Sequence, residues 1–362
     1  MLQPTLYIAV TGHGFGHAVR AASVADRVQQ LCPEISIIFA TTAPEWLLKS
    51  YVSGNFVYRR RVFDVGVVQS DSLTMDKQAT LKRMQEIRSR QDKIIAEEVE
   101  FIRQHDVRLI LADIPPLATA LAEAAGIPCW MMSNFGWDFI YGAWDQSFAE
   151  IVDWIKECYG KCDRLFRLPL SEPMTAFPNI TDVGLTGGNP RYSEAELRDK
   201  FTITAPKKKI ILLTFGGLGL QAIPYENLKR FPDWDFITFD RNAPNLPNLK
   251  IVSDKSLRPV DFMLLSGRIV SKPGYSTFAE ALRLDLPIVT LTREDFAEAP
   301  ILLKNIQDHS EHQIVTTEEF FKGNWDFLKQ ALIAPKTDIK LPKDGSETIA
   351  KKIIKLINSG IE

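Results

Sequence analysis

Cysteine is scarce. There are four in 362 residues, Cys32, Cys129, Cys158 and Cys162, and they lack zinc-type pairing. Cys158 and Cys162 have the spacing of one helix face, but neither a metal site nor a disulfide framework is expected from thiols so scattered. Excess charge of one sign is also missing, because 43 Lys and Arg stand against 45 Asp and Glu, a formal balance of −2. With no general basic field and no long basic stretch interleaved with aromatics, nucleic acid is not an expected partner. The run Arg59-Arg60-Arg61 still gives a local patch able to touch a lipid phosphate or a partner. No apolar run approaches the ~20 residues that span a bilayer, so no transmembrane segment is expected. The stretch before Leu6-Tyr7-Ile8-Ala9-Val10 lacks the charged start and small-residue cleavage site of a signal peptide, which makes a cytoplasmic chain the expectation.

What is present is an ordinary globular composition, 45% hydrophobic and 24% charged. The length asks for two domains of about 150–200 residues each. Strand and helix signals alternate through the first half: Leu6–Val10, then a helix His17–Leu31, a strand Ile35–Ala40 and a short helix Pro44–Tyr51. A long polar helix is expected over residues 77–104, then a strand Arg108–Ala112, a helix Pro116–Ala125 and a strand Pro128–Met132. The second half repeats this grammar, with strands at Lys209–Thr214, Asp235–Phe239, Lys250–Val252, Arg268–Val270 and Pro287–Leu291. Such alternation implies two parallel sheets with helices on both faces. The expected division is a domain over 1–190, a linker over 191–206, a second domain over 207–340, and a final helix within 341–362 that can cross back to the first domain. Ligands of such sheets bind at the carboxyl ends of strands, so chemistry is sought in the loops that leave them.

Unusual residues do gather in those loops. Thr11-Gly12-His13-Gly14-Phe15-Gly16-His17 follows the first strand and opens a helix. A histidine at a helix start meets the positive end of the helix dipole, which favours a neutral imidazole, a base, over its charged form. The G-x-G-x-G spacing of Gly12, Gly14 and Gly16 departs from the dinucleotide fingerprint. Phe215-Gly216-Gly217-Leu218-Gly219 ends another strand, and its N–H groups suit a diphosphate. Lys272-Pro273-Gly274-Tyr275-Ser276-Thr277 starts a helix, with Glu280 one turn on; Glu280 can take both hydroxyls of a ribose or close a Thr277-x-x-Glu280 capping box. Asp295 and Glu298 lie in a charged loop that suits sugar hydroxyls, Asp113 ends a strand where it can orient a histidine, and Asn134, Trp137 and Asp138 mix polar and aromatic character as sugar-facing segments do.

Taken in order, these motifs resemble inverting glycosyltransferases of the GT-B fold. The peptidoglycan N-acetylglucosaminyltransferase family is one relative. The nearer likeness is to the N-terminal glycosyltransferase-like region of plant-type L-arabinokinases. It is carried by Val10–Arg20, Val65–Asp76, Ser133–Tyr141, Arg167–Leu170, Phe215–Gly217, Lys272–Leu282 and Arg293–Pro300. No Ser-rich phosphate loop of a sugar kinase follows, so kinase activity is not expected. The resemblance implies an α/β GT-B architecture of two Rossmann-like parallel-sheet domains facing across a cleft. It implies His17 as general base, with His13 the rival, and Asp113 holding the imidazole. It implies a first-domain acceptor side of Gly14, Phe15, Gly16, Asn134, Trp137 and Asp138. For the donor it implies Gly216, Gly217, Leu218, Gly274, Ser276 and Thr277 at the diphosphate, Glu280 at the ribose, and Asp295 and Glu298 at the sugar. Relatives often carry Gln where Glu298 stands. No metal and no cofactor are expected beyond a nucleotide-sugar co-substrate, expected to be UDP-linked, and the acceptor is a small molecule, a glycan or a lipid headgroup. Two other readings share the fold: a non-catalytic nucleotide-sugar-binding or regulatory module, and a nucleotide-sugar epimerase or hydrolase.

Overall fold

The apolar runs become strands buried on both faces, as parallel sheets require. A computed structural model describes residues 3–69, 74–217 and 219–359. The chain divides into two compact units, one of residues 3–69, 75–187 and 342–359, the other of residues 74, 188–217 and 219–341.

The first unit holds a seven-stranded sheet. Its strands are β1 (Thr5–Val10), β2 (Ser36–Ala40), β3 (Val57–Arg59), β6 (Val107–Asp113), β7 (Cys129–Ser133), β8 (Arg164–Arg167) and β9 (Ile180–Asp182), in the order β3-β2-β1-β6-β7-β8-β9. A separate two-stranded ribbon pairs β4 (Val68–Gln69) with β5 (Met75–Asp76). Every residue of β1 is buried, and its register Val10↔Asp113 brings the ends of β1 and β6 side by side. The strand order reverses between β1 and β6, the position where parallel α/β sheets open a crevice for ligand. The final helix, Gly345–Ser359, packs on the first helix, Gly16–Leu31, and Arg27 bonds Glu347 at 2.8 Å.

The second unit holds a six-stranded parallel sheet. Its strands are β10 (Ile210–Thr214), β11 (Asp235–Thr238), β12 (Leu249–Ile251), β13 (Arg268–Ser271), β14 (Ile288–Leu291) and β15 (His312–Val315), in the order β12-β11-β10-β13-β14-β15. Here the order reverses between β10 and β13, and the register Thr214↔Ser271 and Ser271↔Thr290 aligns three strand ends.

Two local expectations are corrected. The helix expected over 77–104 breaks at Arg90 into Lys77–Ser89 and Gln91–Gln104, where the Arg90 N–H turns to Ile87 C=O and ψ rises to 6°. The segment 191–206, expected as a linker, contains the helix Glu194–Phe201, begun by a capping box in which Ser193 and Glu196 bond reciprocally.

Candidate functional site

In the first unit the loop after β1 delivers both histidines beside the end of β6. His17 is buried at the second position of the helix Gly16–Leu31, and its Nδ1 lies 2.7 Å from Asp113 Oδ1. Asp113 is itself fully buried, and the Arg20 guanidinium grips both its oxygens. Burial pushes the Asp113 carboxyl upward, but the Arg20 charge, then His17, outweigh it and hold the group below the ordinary carboxylate range. Arg20 also bonds Asn134 Oδ1 at 2.7 Å and Ser133 Oγ at 2.9 Å.

His13 has a different environment. Its Nδ1 stands 3.2 Å from the Val67 backbone, and its ring meets Trp137 edge-on with centroids 5.5 Å apart. The segment Asp64–Val67 closes over it. Gly66 has φ +59°, and a Cβ there would fall 2.3 Å from the His13 Cβ, so a side chain is excluded twice over. Tyr141 bonds the Gly66 carbonyl, and Asp64 accepts the Thr11 hydroxyl at 2.5 Å. Burial pushes the Asp64 carboxyl up to about 7, with the Asp113 charge adding to it and hydrogen bonds from Thr11 and Trp137 opposing.

Of the residues expected on the acceptor side, Gly14, Phe15 and Gly16 lie half-buried where the loop meets the helix, and Phe15 packs edge-on against Trp46. Asp138 is half-buried, and burial raises its carboxyl. Trp137 and Asn134 are buried completely or nearly so; Trp137 stacks on Tyr141 and contacts Thr11, while Asn134 holds Arg20. They form the wall behind the histidines.

In the second unit, the loop after β10 turns at Gly216, whose φ of +78° favours glycine. Gly217 follows in the turn; Leu218 lies outside the described residues. The loop after β13 runs through Lys272 to Gly274, which precedes the helix Tyr275–Arg283. Ser276 and Thr277 therefore occupy its first turn, the first buried and the second half-buried. The Lys272 Cε lies 3.5 Å from the point a Gly216 Cβ would occupy, and its Nζ 3.7 Å from that of Gly274. Lys272 thus sits against both loops. Desolvation, reinforced by the like charge of Arg293 and opposed by Glu298, lowers its ammonium to about 8. Arg293 is buried over the Phe296 ring, 4.3 Å from its centroid, Glu298 is buried at the start of Glu298–His309, and Asp295 is exposed.

The capping box proposed for Thr277 and Glu280 does not form. Gly274 is the residue that caps the helix, which places Thr277 inside the first turn, and no side chain caps. Glu280 is buried and instead accepts the Gly188 N–H at 2.9 Å, while Arg283 donates to the Gly188 carbonyl at 2.8 Å. Sequence reasoning gave no role to Arg20, Asp64 or Lys272. The signal for Arg20 was available: an arginine three residues after His17 on an otherwise small and apolar helix face.

No family model matches the chain. The chain is 30% identical to the L-arabinokinase of Arabidopsis thaliana over 334 residues, which is 89% of this chain and 32% of that protein. It thus spans about a third of the curated relative it matches. Solved glycosyltransferases share its architecture. The kitacinnamycin glycotransferase aligns over 99% of this chain and 100% of its own, with 13% identity and a TM-score of 0.62. A Phytolacca americana UGT2 complexed with UDP-2fluoro-glucose and pterostilbene covers 99% and 94%, with 12% identity and a TM-score of 0.60. A UGT transferase from Siraitia grosvenorii in complex with UDP covers 98% and 94%, with 13% identity and a TM-score of 0.54. The fold is GT-B. Among the described residues no helix is long and apolar enough to cross a membrane.

Proposed function

We propose that this chain is an inverting glycosyltransferase that moves a sugar from a nucleotide diphosphate, UDP, to a hydroxyl acceptor. The observation that carries this reading is the buried His17–Asp113 pair, 2.7 Å apart, at the strand-order reversal of the first sheet. A histidine bonded to a carboxylate through Nδ1 keeps Nε2 as a base. The acceptor hydroxyl gives its proton to His17 Nε2 as its oxygen attacks the anomeric carbon. The bond from that carbon to the β-phosphate oxygen breaks, UDP departs with the electron pair, and configuration inverts. Gly14, Phe15, Gly16 and Asp138 flank the acceptor, and the buried Trp137 and Asn134 support them.

The second unit holds the leaving diphosphate. Gly216, Gly217, Gly274, Ser276 and Thr277 supply N–H and hydroxyl donors, and Lys272 and Arg293 supply positive charge, the role a divalent cation fills in other transferases. Glu280 meets the ribose, and Asp295 and Glu298 meet the sugar. Two similar structures that carry UDP or a UDP-sugar support the choice of nucleotide.

The test is release of UDP from a panel of UDP-sugars with polyol, glycan and lipid-headgroup acceptors. His17→Ala should lower turnover by about 10²–10⁴-fold, the usual contribution of a positioned base. Wild-type turnover retained by His17→Ala but abolished in His13→Ala would reverse the two roles. UDP release without acceptor would favour a hydrolase.

A further inference from the structure

Arg20 bonds Asp113, Asn134 and Ser133 at once, and the proposed reaction gives it no task. It lies three residues beyond His17, so both project from one face of the helix. A guanidinium has five N–H donors and no acceptor. The Nε donor goes to Asp113 Oδ2, and Nη1 donates to Asn134 Oδ1. The two hydrogens of Nη2 are directed to Asp113 Oδ1 at 2.6 Å and Ser133 Oγ at 2.9 Å. The same Nη2 also stands at hydrogen-bond distance, 2.9 Å, from His17 Nδ1, so Asp113 and Arg20 compete for that nitrogen. Asp113, held ionised, can only accept, and its Oδ1 is 2.7 Å from that ring nitrogen. A proton on Nδ1 makes the bond to the carboxylate, and Nη2 keeps its partners Asp113 Oδ1 and Ser133 Oγ without the ring. A lone pair on Nδ1 would face the carboxylate lone pairs at hydrogen-bond distance with no hydrogen between them.

We propose that Arg20 is a positioning residue that locks His17 in the Nδ1–H tautomer, by clamping the Asp113 carboxylate against the ring nitrogen. The ring's Nε2 then always carries the lone pair. Arg20 also balances the buried charge of Asp113, so that the histidine meets a neutralised ion pair rather than a bare carboxylate. The remaining titratable neighbours are His13, with ring centroids 6.3 Å apart, and Asp64, which reaches the site through Thr11. Asn134 and Ser133 acquire a role from the same geometry: they hold the clamp. The consequence for transfer rests on the function proposed above, whereas the tautomer does not.

The experiment is multiple-bond ¹H–¹⁵N correlation on the full chain with ¹⁵N-labelled histidine, at a pH where the His17 ring is neutral. The wild type should show a protonated Nδ1 and an unprotonated Nε2. Arg20→Lys keeps the charge but loses the fork. Arg20→Gln loses both. Each should move the His17 signals toward an average of two tautomers. Turnover should fall on the order of 10–100-fold while KM for the nucleotide sugar stays unchanged. A wild-type His17 protonated on Nε2 would overturn the proposal, as would an Arg20→Lys variant with unaltered tautomer and turnover. If Arg20→Gln does not fold, the wild-type and Arg20→Lys spectra decide alone. The predicted spectra in a chain that turns over no sugar would leave Arg20 in this role and remove the transferase reading.

Discussion

Both units place their unusual loops where the strand order reverses, β1 against β6 in one and β10 against β13 in the other, yet the chemistry gathered there differs. In the first unit the charges answer one another: Asp113 is met by Arg20 and His17, and Arg20 by Asn134 and Ser133. In the second unit like charges meet, because Lys272 lies in the field of Arg293 and desolvation already lowers its ammonium. The hydroxyls of Ser271 and Thr290, adjacent in register, are buried without a hydrogen-bond partner among the described residues. One topological position thus carries a histidine held rigid by its own network. The other carries positive charge that an anion would stabilise. A base needs a fixed tautomer before substrate arrives, whereas a diphosphate site gains most from charge that the ligand completes.

The sharpest way to break this contrast is Asp113→Asn. At sequence level this residue need only orient a histidine, and its loss would resemble a milder His17 variant. The clamp changes that expectation, because an amide leaves the Arg20 charge buried without its counter-ion. A loss of about 3–5 kcal/mol is expected by chemical denaturation. A stability equal to wild type would show that the network does not hold the unit together.

Asp64 offers the next largest effect. Its folded value of about 7 lies above the ordinary 3.8, so the folded state binds the extra proton between those limits. Stability present at low pH is therefore lost as pH rises through about 7. Asp64→Asn removes this term, and it should gain about 3 kcal/mol on the wild type between pH 5 and pH 8. A difference between the two proteins that does not change with pH would contradict the burial argument.

The second unit predicts ligand effects instead. As pH rises from 7 to 9 Lys272 loses its proton, and UDP affinity should fall about tenfold, a dependence that Lys272→Met abolishes. A flat affinity profile in the wild type would remove Lys272 from the anion site. Thr277→Ala should have an effect of comparable size, about 1–2 kcal/mol of UDP affinity for one or two hydrogen bonds to a charged group. Equal calorimetric affinities would take Thr277 out of the site.

Local chemistry was legible in the sequence; partners distant in the chain were not. Apolar runs such as Leu6–Val10 and Ile210–Thr214 announce strands buried on both faces, and glycine loops follow them at the carboxyl edge of each sheet. Arg20 meets Asp113 across 93 positions and Asp64 meets Thr11 across 53, distances over which residue spacing carries no information. Thr277 and Glu280 matched a capping pattern, but the helix is capped three residues earlier, at Gly274, and Glu280 turns to Gly188 instead. The helix Glu194–Phe201 was missed for the opposite reason. Its Ser193-x-x-Glu196 signal is real, but eight mostly polar residues show little apolar periodicity.

Calorimetric titration of UDP into the wild type, His17→Ala and Lys272→Met tests the division of labour most directly. The account predicts that the wild type and His17→Ala bind UDP with the same affinity at pH 7, and that Lys272→Met binds it about tenfold or more weakly, the loss of a charged hydrogen bond. No UDP binding by the wild type would contradict it. So would an affinity that falls as far in His17→Ala as in Lys272→Met.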